Sequence, residues 1–138
     1  MKRVVLLDNE AVQALMALDH PRHRRALAFL EVVAGRRKKA VPLEVVVPTA
    51  VRVESGWDRR EPRSALINRL RIRDAELGGS AADEAATLVE TYGMSVADAH
   101  LGAVIADRHE GAAITVITSG PGEVAAVAGS AAVIVVRL

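Results

Sequence analysis

The spacing of apolar and polar positions predicts a chain in which strands and helices alternate. Short apolar runs predict buried strands at residues 3–7, 44–47, 114–118 and 132–136, with a further short strand within 71–77. Helical spacing predicts helices at about 9–18, 21–38, 48–57, 62–71, 81–91, 96–109 and 121–128. This alternation indicates an α/β fold, a three-layer sandwich in which helices flank a central parallel sheet. We find no repeat or linker, so residues 1–138 are expected to form a single domain.

The composition excludes several classes of function. Hydrophobic residues make up 51% of the chain, yet only Phe29, Trp57 and Tyr92 are aromatic, which disfavours a platform for stacking bases. Because there is no cysteine, disulfides, thiolate metal sites and cysteine nucleophiles are excluded. The first apolar run ends at Asp8, too early for a signal peptide, and no apolar stretch is long enough to span a bilayer. We therefore expect a cytoplasmic protein with no membrane partner.

Charge is distributed unevenly although the net charge is only +1. Residues 20–73 carry 14 Arg and Lys against five acids, whereas residues 74–138 carry two against nine. This division predicts a cationic surface beside an anionic one, which suits a polyanionic partner such as RNA. For the run at 36–39 alone, an ordinary solvated surface is an equally good explanation.

Acidic residues recur where a strand or loop gives way to a helix. Asp8 follows the first apolar run, Glu54 lies inside the helix predicted at 48–57, Asp98 lies in the first turn of the helix predicted at 96–109, and Glu123 follows the strand at 114–118. An α/β fold brings such positions to one edge of its sheet. Carboxylates gathered without cations are costly, and a divalent metal ion is the usual remedy. The set is therefore a candidate metal site.

Each acid also has an ordinary local explanation. Asp8 can cap the helix that follows it, and Ser95 with Asp98 forms a capping pair that needs no metal. Residues 80–83 have the same Ser-to-Asp spacing, so this pattern alone identifies no site. Glu54 is equally well explained as a free, solvated side chain.

Other motifs add little. The histidines have no spacing typical of metal ligands, and we expect all four to be surface or capping residues: His20, His23, His100 and His109. The glycines at 78–79 and 120–122 do not match the phosphate-binding patterns of nucleotide-binding loops.

Four segments in order resemble the PIN domain, and in particular the VapC-like ribonucleases of bacterial toxin–antitoxin systems. They are Val-Leu-Leu-Asp8, Pro-Thr-Ala-Val-Arg-Val-Glu54, Ser-Val-Ala-Asp98-Ala-His-Leu-Gly-Ala and Val-Ile-Thr-Ser119. The resemblance covers essentially the whole chain. It implies a parallel sheet between helices, with an acidic pocket at its carboxyl edge that holds Mg²⁺ or Mn²⁺.

By position, the resemblance makes Asp8, Glu54 and Asp98 the first three acids of that pocket. The family's fourth acid follows the Thr-Ser pair, where this chain has Gly120, and Glu123 matches a further acid of the same loop. Ser119 or the preceding Thr matches the hydroxyl residues of the family. Asp8 and Asp98 are then the direct metal ligands, with Glu54 and Glu123 as additional ones, and Ser119 joins the acids as a catalytic residue.

Three functions stay open on this evidence. The first is a metal-dependent endoribonuclease that acts as a toxin, is neutralised by an antitoxin protein and forms a homodimer, as the resemblance implies. The second is a PIN-like domain with little catalysis that binds RNA or protein, which Gly120 favours. The third is a phospho-acceptor signalling domain, but the acceptor Asp and the Lys that such a domain needs at later strands are not evident.

Overall fold

Thirteen elements follow one another along the chain in the computed structural model, which describes residues 2–36, 43–118, 120–129 and 131–138. They are β1 (Lys2–Leu7), α1 (Asn9–Met16), α2 (His23–Arg36), β2 (Leu43–Pro48), α3 (Thr49–Ser55), a 3₁₀ turn (Pro62–Ser64), α4 (Ala65–Asn68), β3 (Arg73–Ala75), α5 (Gly79–Tyr92), α6 (Val96–Arg108), β4 (Ala112–Thr118), α7 (Pro121–Ala128) and β5 (Val133–Arg137).

The strands form one parallel sheet in the order β3-β2-β1-β4-β5. Apolar residues of β1 alternate between the two faces of this sheet. Val5 and Leu7 pack with α1 and α2, whereas Val4 and Leu6 pack with α6 and α7. A strand covered on both faces reads as a continuous apolar run, which explains the start of this sequence. The predicted α/β sandwich is confirmed.

Two predicted helix boundaries differ from the structure for local reasons. The helix expected at 62–71 is reduced to a 3₁₀ turn and the four residues of α4. The Asn68 side chain at its end binds Trp57 and the carbonyl of Arg59, and Arg71 has a left-handed φ of 55° that no helix can continue through. The helix expected from Pro21 begins at His23, and residues 37–39 of the basic run lie outside the described residues.

The two Ser-to-Asp segments behave differently. Ser95 caps α6, and its Oγ accepts the Asp98 N–H at 3.1 Å, as predicted. Residues 80–83 do not cap a helix, because α5 already begins at Gly79 and Gly78 is its N-cap without a side-chain bond. The capping pair predicted there is wrong.

The strand order creates a topological switch point between β1 and β4. The chain passes from β1 outward through β2 to β3, and then returns to the other side of β1 as β4. Open α/β sheets bind ligands in the crevice outside the carboxyl ends of the strands at such a point. Among the described residues, no helix is both long enough and apolar enough to cross a membrane.

Candidate acidic site at the switch point

Asp8 occupies the switch point because it directly follows β1. Its backbone is extended, its N–H donates to the carbonyl of Ile117 in β4 at 3.3 Å, and its Oδ1 accepts the N–H of Ala11 at 2.9 Å. Asp8 is therefore the N-cap of α1, as its ordinary explanation requires. One carboxylate oxygen of Asp8 accepts the hydrogen bond from α1, and the side chain lies at the edge of the crevice between β1 and β4.

Thr118, the last residue of β4, connects the two strand ends. Its side chain is 1% exposed and hydrogen-bonds to the Asp8 carboxylate. Its Oγ1 also accepts the N–H of Gly120 at 2.8 Å. Because Gly120 occupies a lone pair of the hydroxyl, the hydroxyl hydrogen is free to point at Asp8. Thr118 thus orients the Asp8 carboxylate and fixes the turn that follows β4.

Asp98 approaches Asp8 from the first turn of α6. It is half-exposed, and its negative charge raises the pKa of Asp8. Burial of Asp8 is the largest cause of that raised pKa, the hydrogen bonds from Thr118 and Ala11 oppose it, and Glu10 adds a smaller like-charge contribution. The structure therefore brings two predicted acids together at a place where carboxylates repel each other.

Glu54 has a different local setting from this pair. It is exposed near the end of α3 and lines a groove of about 490 Å³ between α3 and the start of α6. The groove walls include Val53 and Val96, which are 83% and 58% exposed. Residues 95–97 of the groove immediately precede Asp98. Glu54 therefore lies near the start of α6, but no contact in the described residues joins it to Asp8 or Asp98, and its charge is not among the causes that shift the pKa of Asp8.

The loop after β4 holds the remaining predicted residues. Ser119 lies outside the described residues, and so does the side chain of Glu123, although its backbone belongs to α7. Gly120 is half-buried with a φ of −116°, which any residue adopts. The position of the family's fourth acid therefore has backbone geometry that admits a side chain.

Sequence reasoning missed two features near the acids. His23 and His100, expected at the surface or as caps, are 7% and 0% exposed. The His100 Nδ1 accepts the N–H of Ala50, the second residue of α3, at 3.2 Å and so ties α3 to α6 two residues after Asp98. Burial lowers the pKa of His100, while the carbonyl of Glu76 acts in the opposite direction. A position on the apolar stripe of a helix was the sequence signal that could have predicted a buried histidine.

Glu10 is the second missed feature. It lies in the first turn of α1 and accepts a hydrogen bond from the Nε2 of His20 at 2.9 Å, with the Nη1 of Arg22 at 3.6 Å. The residues 17–22 must turn back along α1 to make these contacts. Sequence spacing contains no signal for such a turn.

The donor atoms of this edge fit a hard divalent cation. Asp8 and Asp98 supply oxygen ligands, and neither makes an ion pair within the described residues. The Oδ1 of Asn9, directly after Asp8, is buried without a hydrogen-bond partner in the same part of the chain. Mg²⁺ keeps several waters and needs few protein ligands. No group of three His, Asp or Glu side chains converges among the described residues.

A second cavity lies elsewhere. It has a volume of about 860 Å³ and is lined by β3 and the segment after it, together with α5 and α6. None of Asp8, Glu54 and Asp98 lines it. Asp74, one of its acids, pairs with two arginines, whereas Glu76, Asp83, Glu84 and Asp107 make no ion pair in the described residues. The switch point is the better candidate because Asp8 is partly buried there, at the carboxyl end of β1, where open α/β sheets bind ligands.

Comparison with solved structures gives the class of fold. The chain superposes with a TM-score of 0.59 on VapBC2 from Rickettsia felis bound to a DNA fragment from their promoter, at 13% identity over 98% of each chain. It superposes with a TM-score of 0.54 on VapC20 from Mycobacterium tuberculosis, a toxin that cleaves the sarcin–ricin loop. That match has 19% identity and covers 81% of this chain and 86% of the other. No family model and no curated protein matches the sequence.

The fold is therefore that of a PIN domain. Within that class it is VapC-like, as the ordered sequence motifs predicted. At these identities the likeness establishes the architecture, and the chemistry has to be argued from the residues of the site.

Proposed function

We propose that this protein is a metal-dependent endoribonuclease and the toxin of a type II toxin–antitoxin pair. The observation that carries the proposal is that Asp8, at the switch point of a PIN-fold sheet, lies within electrostatic reach of Asp98, and that neither makes an ion pair in the described residues. The two similar proteins support the biological role, since VapC20 is described as an RNA-loop cleaving toxin and VapBC2 as a promoter-bound complex. The proposal includes an antitoxin partner, a homodimer, a cytoplasmic location and one domain over residues 1–138.

Asp8 and Asp98 are the proposed direct ligands of Mg²⁺ or Mn²⁺, with Glu54 and Glu123 as further ligands. When bound, such an ion supplies electrostatic stabilisation of the phosphodiester as negative charge develops on it. Thr118 holds the Asp8 carboxylate in one orientation, and Ser95 fixes the backbone of Asp98 at the helix start. Glu54 orients the attacking water, and Ser119 contributes its hydroxyl to the same pocket.

The direct test is cleavage of single-stranded RNA with Mg²⁺ or Mn²⁺ by the wild type and by Asp98→Asn. The matched control is Asp83→Asn, which removes an exposed acid with the same local sequence pattern from another helix. We expect metal-dependent cleavage that Asp98→Asn abolishes and Asp83→Asn preserves. A metal-binding titration by calorimetry should show the same contrast without any RNA. Equal cleavage by all three proteins, or none by the wild type, excludes the catalytic proposal.

A second candidate function is binding without efficient catalysis. Gly120 at the position of the fourth acid favours it, together with the absence of a three-acid cluster among the described residues. The same experiment separates the two functions, because a binding module retains RNA at low salt and leaves it uncut with either metal.

A test of the toxin role needs no knowledge of the RNA target. Expression of the wild type should arrest bacterial growth, and co-expression of the small protein encoded directly upstream should relieve the arrest. Growth arrest that Asp98→Asn also causes would point to a toxicity unrelated to the proposed nuclease.

A further inference from the structure

We propose that Arg22 is a substrate-phosphate contact beside the acidic site, and that Glu10 and His20 are the positioning residues that hold it there. The inference rests on the proposed function, because it names how that site takes hold of RNA. It begins from the hydrogen bonds of the turn between α1 and α2.

His20 is fixed in one tautomer by two contacts. Its Nδ1 accepts the backbone N–H of Arg22 at 3.0 Å, so this nitrogen carries no hydrogen. The hydrogen therefore resides on Nε2, which donates to the Glu10 Oε1 at 2.9 Å. The imidazole thus joins the turn to the first turn of α1, and it orients the Glu10 carboxylate. His23, one residue further, anchors the same turn through a 2.8 Å bond between its Nδ1 and the carbonyl of Ala14.

Glu10 stands between Arg22 and the acidic pair. Glu10 belongs to the first turn of α1, whose N-cap is Asp8, so both carboxylates lie at the same end of this helix. The same Oε1 lies 3.6 Å from the Nη1 of Arg22. The guanidinium of Arg22 therefore lies near the end of α1 at which Asp8 stands, and in the described residues it pairs with Glu10 and not with Asp8.

Arg22 keeps capacity to bind a phosphate. Its side chain is 43% exposed, and the 3.6 Å separation is longer than a hydrogen bond, so most of its five N–H donors remain free. Three other arginines of the cationic segment are committed to carboxylates. Arg52 and Arg59 bind Asp74 at 2.7 and 2.9 Å, and Arg60 forks onto Asp58. Within the described residues, Arg22 contacts Glu10 in the first turn of α1 and still has N–H donors that can bind a ligand.

The chemistry fits an RNA strand crossing the switch point. If one phosphodiester lies at Asp8 and Asp98, a neighbouring phosphate of the same strand needs a cation close by. A planar guanidinium matches the geometry of phosphate oxygens. Glu10 stops Arg22 from collapsing onto Asp8 and presents it to the incoming strand.

The test measures binding of a fluorescein-labelled single-stranded oligoribonucleotide in Ca²⁺ over a series of NaCl concentrations. Arg22→Gln should weaken binding on the order of tenfold, the usual effect of one charge-assisted hydrogen bond. It should also reduce the slope of log affinity against log salt by about 0.7, the value for one phosphate contact on a single strand. Arg22→Lys should restore most of the slope.

The matched control is Arg24→Gln, an exposed arginine two residues later in the first turn of α2 that makes no ion pair in the described part of the chain. It should leave affinity and slope unchanged. Glu10→Gln gives a sharper test, because removing a negative charge by itself strengthens RNA binding. If Glu10 positions Arg22, the variant binds more weakly than the wild type, while its amide oxygen still accepts the His20 bond and preserves the fold.

Two results overturn this inference alone: a wild type that cleaves RNA while Arg22→Gln behaves like Arg24→Gln, or a Glu10→Gln that binds at least as tightly as the wild type. A wild type that neither binds nor cleaves RNA overturns the proposed function as well. Circular dichroism of each variant establishes that a lost slope reflects a lost contact and not unfolding.

Discussion

Two acidic regions of this protein are built in opposite ways. Asp74, in the edge strand β3, accepts hydrogen bonds from Arg52 at 2.7 Å and from Arg59 at 2.9 Å. Both guanidinium groups also lie over the ring of Trp57, at 5.3 and 4.3 Å from its centroid. At the switch point, by contrast, the negative charge of Asp98 raises the pKa of Asp8, and neither acid makes an ion pair in the described residues.

The difference separates charges that stabilise the fold from charges kept for a ligand. At Asp74 the carboxylate is paired with two guanidinium groups, and both of these pack on the ring of Trp57. At Asp8 burial and like charge both favour protonation, and two hydrogen bonds keep the carboxylate in place nonetheless. An arrangement of this kind is unfavourable without a bound cation, and such arrangements occur at functional sites.

The largest effect is expected on the free energy of unfolding, at the region around Asp74 where the acid is paired with arginines. Trp57→Ala should lower the free energy of unfolding by about 3–5 kcal/mol, because the ring is 3% exposed and its Nε1 donates to Asn68. Urea unfolding measures the change. Tyr92→Ala, an aromatic residue that is 56% exposed, should cost less than about 0.5 kcal/mol. Similar losses for both variants would mean that the arginine-stacked ring is not part of the core.

At the switch point, where Asp8 and Asp98 have no cationic partner in the described residues, a substitution should lower activity and leave stability unchanged. Asp8→Asn should reduce RNA cleavage by more than the roughly 10- to 100-fold that loss of an outer-shell partner of a metal site costs. The fold should persist because Asn caps helices as well as Asp does. Single-turnover cleavage and a thermal melt of the same sample test both statements. A variant that cleaves RNA normally would remove Asp8 from the site.

Gly120→Asp should convert the acidic pair into a stronger cation site. Its φ of −116° accepts a side chain, and an added carboxylate after Thr118 should raise Mn²⁺ affinity on the order of tenfold. Gly122→Asp is the control, since it adds the same charge two residues later with no atom within 4 Å of the new Cβ. Equal effects in a calorimetric titration would attribute the gain to net charge alone.

Asp74→Asn should have the opposite profile to Asp8→Asn. It leaves two arginines without their carboxylate and should lower stability by about 1 kcal/mol, near the upper limit for partly exposed pairs. Cleavage per folded molecule should not change. Loss of activity at full stability would contradict the division between the two regions.

The smallest effect is a pH dependence. Because the pKa of Asp8 is raised above its ordinary value of 3.8, the folded state holds the proton more tightly than the unfolded state. The cost of ionising Asp8 is absent below that value, grows as pH rises past it and is complete above the folded pKa. Metal-free Asp8→Asn should therefore gain stability over the wild type as pH rises from 3 to 7. Parallel melting curves across this range would show that Asp8 bears no such cost.

The sheet and its acidic edge were predictable because their signals are local. A strand covered on both faces needs an unbroken apolar run, so β1 and its terminal Asp8 stood out in the sequence. The Ser95 cap was predicted correctly, but the identical pattern at 80–83 failed because Gly78 already begins that helix, with its carbonyl accepting the Ala82 N–H. Local spacing cannot say which of two adjacent starts the packed structure selects.

The parts that could not be predicted depend on tertiary contacts. The Glu10–His20 bond exists only because residues 17–22 turn back along α1, and the burial of His100 depends on how α3 meets α6. The number of free arginines likewise depends on which of them reach Asp74. Such contacts are set by tertiary packing, which leaves no periodic pattern in the sequence.

The pairing of β1 with β4 also governs when the acidic edge comes into existence. Lys2 lies opposite Ala112 and Leu7 opposite Ile117, so the two strands at the centre of the sheet are separated by more than one hundred residues of chain. Closing so long a loop is slow relative to local folding. A nascent chain emerging from the ribosome can form α1 early, yet Asp8 has no Thr118 to orient it until β4 has been translated. Assembly of the site therefore waits for this strand.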